Sequence, residues 1–318
     1  MTAPPVPLAE LRAAALALRA IALRTPLLEA PDLGRRAGAP VALKCEHLQS
    51  MGAFKIRGAS WLVAQVARER PGRGVITYSS GNHGQAVAAA ARRLGLRAVV
   101  VMPETAPRVK VEGVRRLGGE VVYAGTTSAA RRQRAEAMAA EEGLAIIPPF
   151  DHPAIIAGQA SCGLEILEQM PEVRTILVPV GGGGLAAGIT AAVAALRPEV
   201  RVVAVEPEGA AKYAAAVRAG RPVPLARTAS VADGLLPQSV GELPFAVLAG
   251  RAAPAQVSEA AIAAAVKYLH RELRLVVEPS GAATTAALLD GVVRPDGPTV
   301  AVVSGGNVDS DLFARLVA

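Results

Sequence analysis

The sequence predicts an α/β protein built on doubly wound parallel sheets, and three observations carry that reading. Short β-branched runs alternate along the chain with alanine-rich stretches of helical length. The runs are apolar on both faces, as parallel strands covered by helices should be. Several end in glycine- or serine-rich loops that lead into a helical stretch, and the loops at the carboxyl ends of such strands are where these sheets bind ligands.

In chain order, the first stretch, MTAPPVPLAELRAAALALRAIALR, lacks a basic leader, is broken by prolines and then carries Glu10, Arg12, Arg19 and Arg24. It reads as an amphipathic helix, neither a signal peptide nor a membrane span. Strands are expected at VALKCE (41–46), GVITYSS (74–80), RAVVVM (97–102), EVVYAG (120–125), AIIPPF (145–150), TILVPV (175–180), RVVAVEP (201–207) and TVAVVSGG (299–306). Between them the helical pattern is clearest in QAVAAAARRLG (85–95), PRVKVEGVRRLG (107–118), LAAGITAAVAALR (185–197) and SEAAIAAAVKYLHREL (258–273). No internal repeat or low-complexity linker marks a boundary, and PPFDHP (148–153) is the best candidate crossing point between domains.

Composition narrows the functions open to the chain. With 318 residues, 52% hydrophobic and only 19% charged, it can bury a large core as one or two domains. Its net charge of +7 is spread as single arginines among alanines, and nine aromatics offer little for stacking on bases, so neither nucleic acid nor membrane is an expected partner. Cys45 and Cys162 stand far apart with no histidine cluster nearby and read as buried thiols in a reducing cytoplasm, without a zinc site.

Four loops and one lysine carry the chemistry. GGGGLAAG (181–188) combines glycines that bring backbone close to an anion with the N-terminus of a helix, which favours phosphate. It lacks the Gly-Lys-Ser/Thr ending of a nucleotide P-loop. Gly181, Gly183 and Ala186 also satisfy a dinucleotide fingerprint, with Glu206 at the spacing of a ribose-binding acid, so a nicotinamide-dependent dehydrogenase competes at this point. Ser79, Ser80, Gly81, Asn82, His83 and Gly84 form a second polar loop on a helix start, able to hold a carboxylate, although Ser80 or Asn82 as a plain helix cap accounts for part of it. EPSGAA (278–283) and SGGN (304–307) are, singly, ordinary turns. The lysine is Lys55 in MGAFKIRGAS: 29 of the 34 basic residues are arginine, and only a primary amine forms a Schiff base with a carbonyl.

Together, GAFKIRGA (52–59), SSGNHGQ (79–85), GGGGL (181–185), EPSGA (278–282) and SGGN (304–307) resemble, in content and order, the serine/threonine dehydratase family of pyridoxal-phosphate enzymes, which includes threonine deaminases and serine racemases. The resemblance spans Thr25 to Asn307 and displaces the dehydrogenase reading. It implies a tryptophan-synthase-β-like fold, a small domain over 51–148, and a large cofactor-binding domain from 1–50 and 149–318. It further implies that Lys55 forms the Schiff base with pyridoxal 5′-phosphate, that Phe54 packs beside the ring, and that Gly181, Gly182, Gly183 and Gly184 with Leu185 hold the phosphate. Asn82 would bond the 3′-oxygen, Ser304 the ring nitrogen, and the loop with Ser79, Ser80, Asn82 and His83 the substrate carboxylate. A neutral hydroxyl on the ring nitrogen leaves a weaker electron sink than a carboxylate partner would, which favours prompt loss of a β-leaving group.

The implied reaction is α,β-elimination, turning L-threonine into 2-oxobutanoate and ammonia and L-serine into pyruvate and ammonia, in a cytoplasmic homodimer or homotetramer. Ser80 stands where serine racemases carry the acid/base opposite the lysine, so racemisation is the alternative. The chain leaves no room for the regulatory domain of isoleucine-inhibited threonine deaminases, and feedback control of that kind is not expected. Two departures from the pattern stand out. The usual Gly-Gln-Gly-Thr appears as Gly158, Gln159, Ala160 and Ser161. Glu206 and Ala210 match a cation site of racemase-like members, but the third ligand position is Lys212, whose ammonium is expected to replace the ion, so no metal is expected.

Overall fold

The computed structural model describes residues 6–318 except Ser80 and Pro107. Among the described residues there are ten strands: β1 (Leu27–Glu29), β2 (Val41–Cys45), β3 (Val75–Tyr78), β4 (Ala98–Met102), β5 (Glu120–Tyr123), β6 (Ala145–Ile146), β7 (Thr175–Pro179), β8 (Arg201–Pro207), β9 (Ala252–Val257) and β10 (Thr299–Val303). They form a six-stranded sheet in the order β1-β2-β10-β7-β8-β9 and a four-stranded sheet in the order β5-β4-β3-β6. Eight of the ten coincide with the expected runs, and every residue of β2, β4, β7 and β10 is buried.

Alternation along the strands shows why these runs are apolar throughout. Ile176 and Val178 of β7 face one core with Val202, Ala204, Val300 and Val302, while Leu177 faces a second core with Val203, Val205, Ala301 and Val303. Both faces of the large sheet are therefore covered, as parallel strands require.

Two strands were not foreseen. β1 has three residues and pairs antiparallel with β2, so the large sheet is not wholly parallel. β9 carries Pro254 and buries only its two end residues, Ala252 and Val257; it lies at the sheet edge beside β8, where a missing N–H costs no ladder bond. An outer position also explains β5, whose residues are only partly covered, unlike the fully buried strands expected.

The helix Lys55–Glu69 packs against the helices Pro153–Gln169 and Asn82–Arg93. Gly58 and Gly158 meet at the first contact, where a Cβ on Gly158 would lie 2.6 Å from the Cα of Gly58. Only glycine at both positions lets the two backbones touch. The N-terminal helix Leu8–Leu18 buries Leu11, Ala14 and Leu18 and packs on the same helix Pro153–Gln169.

Candidate active site

Three strand ends converge on the start of the helix Lys55–Glu69. The N–H of Phe54 donates to the carbonyl of Ser304 at 3.1 Å, and Ala53 bridges Gly305, so the lysine motif is stitched to the end of β10. Arg57, two residues beyond Lys55, is no solvated charge. It is buried and forks between two carboxylates, with Nε and Nη2 each 2.8 Å from Glu46 and Nη1 and Nη2 at 2.7 and 2.8 Å from Glu165. Such two-pronged geometry fixes orientation as well as charge. Burial alone would raise the Glu46 carboxyl, but the Arg57 charge and hydrogen bonds overcome it and hold it below its ordinary value. Glu165 also accepts from Lys44 at 2.6 Å, so the first turn of the lysine helix is tied to β2 and to the helix Pro153–Gln169.

Lys55 itself is partly buried and donates to a carbonyl, that of Pro149, at 2.8 Å. Burial draws its pKa down to about 8 from 10.5, while the Glu278 carboxylate pulls the other way. At pH 7.5 that leaves roughly a quarter of the amine neutral, against about one part in a thousand for an ordinary lysine. The neutral form is the one that attacks a carbonyl.

Glu278 is the N-cap residue of the helix Pro279–Leu289, but its side chain makes no capping bond. Its buried carboxyl turns to Asn82 Nδ2 at 2.8 Å, and burial, then the Asp233 charge, push it up to about 8. Asn82 accepts in turn from Asn307 Nδ2 at 2.9 Å, and Asn307 also donates to Met51 O at 2.8 Å. One amide hydrogen of Asn82 therefore stays free of these partners for a ligand.

The Ser79–His83 loop opens the helix Asn82–Arg93 with Gly81 as N-cap and no side-chain cap bond, so Asn82 is not a simple cap. Ser79 Oγ accepts the N–H of Gly81 at 3.2 Å, and Ser80 lies outside the described residues. His83 is buried with Nε2 3.0 Å from Ile147 O, and burial, then the Lys55 charge, push its pKa down to about 3. Its ring is neutral and carries its proton on the nitrogen facing that carbonyl, which leaves the backbone N–H as the group it offers to an anion.

Gly181–Gly184 connect β7 to the helix Gly184–Leu196. Gly183 is the N-cap at φ +95°, a conformation that favours glycine, and has no side-chain cap. Among the described residues, the N–H groups of Gly182 to Ala186 have no protein acceptor. The ring of Phe150 lies where a Cβ on Gly182 would be, 2.1 Å from its Cδ1. An uncapped helix start, floored by an aromatic ring and admitting no side chain, fits a phosphate. Amine, cradle and the buried Ser304 at the end of β10 together fit a cofactor that bears a carbonyl, a phosphate and a ring nitrogen.

A family model described as "Pyridoxal-phosphate dependent enzyme" matches residues 19–305. The chain belongs to that family. It is 39% identical over 302 residues to an L-threonine ammonia-lyase of Geobacter sulfurreducens, covering 94% of this chain and 75% of the relative. Among solved structures it superposes on a maize serine racemase with a TM-score of 0.94 at 36% identity, covering 98% of this chain and 96% of that one. The processed form of threonine deaminase isoform 2 from Solanum lycopersicum gives a TM-score of 0.89 at 35% identity, with 98% and 88% covered. This pyridoxal-phosphate enzyme thus has the two-domain α/β fold of those proteins, and its cofactor is pyridoxal phosphate.

The dehydrogenase alternative is corrected by these matches and by Glu206 itself. Glu206 is buried and accepts the N–H groups of Tyr213 at 2.8 Å and Ala214 at 3.0 Å, so it caps the helix Lys212–Ala219 and is not presented to a ribose. Lys212 Nζ lies 3.2 Å from Glu206 and donates to Ala210 O at 2.8 Å. Sequence reasoning passed over Glu278, Asn307, Pro149 and Phe150 as site residues. EPSGAA and SGGN read as ordinary turns, while the strand expected over 145–150 stops at Ile146 and leaves Pro149 and Phe150 in the connection after it; nothing local says which side chain or carbonyl turns inward. Lys110 and Asp233 were also missed; they form an ion pair from the helix Arg108–Arg116 to the turn Asp233–Leu235 beside Gly81. Among the described residues no helix is long and apolar enough to cross a membrane.

Proposed function

We propose that the enzyme is a deaminating dehydratase that converts L-threonine to 2-oxobutanoate and ammonia, and L-serine to pyruvate and ammonia. The observation that carries this reading is Lys55, an amine with its pKa drawn down to about 8 and a carbonyl as its protein partner, set beside an uncapped glycine cradle. Pyridoxal phosphate, when bound, supplies the carbonyl that links to an amine and the electron sink for charge released at Cα. The protein does the rest. The N–H groups after Gly181 hold the phosphate, Asn82 offers its free amide hydrogen to the ring oxygen, and the Ser304 hydroxyl offers a neutral partner to the ring nitrogen. The start of the helix Asn82–Arg93 holds the substrate carboxylate through N–H groups. Lys55 Nζ would be the base that removes the α-proton. The β-hydroxyl would take a proton and leave as water, and the enamine so formed would hydrolyse to a 2-oxo acid and ammonia.

Replacing Lys55 with alanine is expected to abolish both the visible absorbance of the bound cofactor and 2-oxo acid release from threonine and serine. Retention of keto-acid formation by that variant overturns the assignment. Likeness to the maize serine racemase supports a second activity, inversion of serine, for which Ser80 would be the second acid/base beside Lys55. D-Serine formation and α-proton exchange in deuterated water, both lost in Ser80→Ala, are its signature; a parent enzyme that makes no D-serine excludes it.

A further inference from the structure

Lys212 is fully buried at the start of the helix Lys212–Ala219, where both burial and the helix dipole act against a positive charge. Its surroundings account for its presence. Nζ donates to the carbonyls of Val180 at 2.8 Å, Ala210 at 2.8 Å and Leu235 at 2.9 Å, and lies 3.2 Å from Glu206 Oε1. Three carbonyls use all three ammonium protons, and the carboxylate balances the charge. Oxygens converging on one point repel each other unless a cation sits among them, and an all-oxygen set of this kind is what a hard metal ion takes.

The three carbonyls come from three segments that meet beneath the glycine loop. Val180 directly precedes Gly181. Leu235 follows Gly234, whose carbonyl would stand 2.7 Å from a Cβ on Gly181 and whose N–H is held by Ser280 Oγ at 2.9 Å. Ala210 lies on the turn that leaves β8. Drawing these carbonyls inward fixes the direction in which the chain enters the loop, and so where the loop's own N–H groups point.

We propose that the Lys212 ammonium serves as a built-in cation that shapes the glycine loop, so that retention of the cofactor phosphate depends on this side chain and not on an added metal ion. Lys212 is on this view a positioning residue. The proposal rests on the reading that the glycine loop holds the cofactor phosphate, and the test separates the two.

Apo-protein is titrated with pyridoxal 5′-phosphate and with pyridoxal by equilibrium dialysis, in chelator and then with magnesium, potassium or ammonium. The parent is expected to prefer the phosphorylated ligand by at least about a hundredfold, equally in every medium. Lys212→Ala is expected to lose at least about tenfold in affinity for pyridoxal phosphate and none for pyridoxal, with part of the loss restored by ammonium or potassium entering the vacated oxygen cage. Lys212→Met, which fills the space without the charge, is expected to show the same loss with no rescue, and it decides the matter if the alanine variant does not fold. A parent whose preference falls on chelation and returns with metal overturns the proposal, as does a methionine variant that keeps the parent's preference; in either case the glycine-loop reading stands. A parent with no preference for the phosphorylated ligand overturns that reading and the proposal with it.

Discussion

Lys55 and Lys212 are the same side chain at two ends of one site, and their partners make them opposites. Lys55 has a carbonyl for its ammonium and a carboxyl nearby; Lys212 has three carbonyls and a carboxylate. Burial draws both pKa values down, but the cost of losing the proton differs. Neutral Lys55 gives up little and becomes a nucleophile. Neutral Lys212 would leave converging carbonyls without their cation, so its charge is structural. Acceptor count, rather than burial alone, separates a reactive lysine from a strut.

Substitution by methionine should therefore act in opposite directions. Lys212→Met breaks a buried pair and is expected to cost about 3–5 kcal/mol of apo-protein stability in denaturant unfolding. Lys55→Met removes an ammonium whose folded pKa lies below its unfolded one, and is expected to stabilise the apo-protein by roughly 1–3 kcal/mol at pH 7. That gain should be complete below pH about 8 and vanish as the pH rises from 8 towards 10.5, because the parent sheds its penalty across that window. Equal destabilisation by the two variants would erase the distinction.

A smaller effect concerns reactivity. The rate at which apo-enzyme captures pyridoxal phosphate, followed by its visible absorbance, should rise up to about tenfold per pH unit and level off near pH 8, tracking the neutral Lys55 amine. The smallest effect sharpens the role of the neighbour. Glu278, itself titrating near 8, carries a charge that favours the ammonium only over the upper part of that rise, so Glu278→Gln should move the levelling-off point to lower pH by less than about one unit. A move to higher pH would mean that Glu278 does not act on Lys55 through its charge.

Much of the site was legible because its groups are consecutive in the chain. Glycine runs, serine–glycine–asparagine loops and a lysine at a helix start are local patterns, and buried strands announce themselves by unbroken apolar runs. What could not be read depends on contacts between distant segments. Arg57 looks like any first-turn cation until Glu46 and Glu165 close on it, the latter 108 residues away. Glu278 reads as an acid before a helix, and only the fold turns it onto Asn82. For Lys212 the sequence suggested Glu206 and Ala210, both within a few residues, whereas Val180 and Leu235 arrive from other loops. β9 escaped for another reason: a proline and a run of uncovered residues are tolerated at a sheet edge, where a strand need not look like its buried neighbours.

Pro149 and Phe150 are consecutive, yet they serve opposite ends of the site: the carbonyl of one receives the Lys55 amine, and the ring of the other floors the glycine cradle. A single peptide unit, planar and almost inextensible, therefore spans from the reactive end to the anchoring end. Any movement of this unit shifts the lysine's partner and the cradle's floor together, so the two ends of the site keep their register.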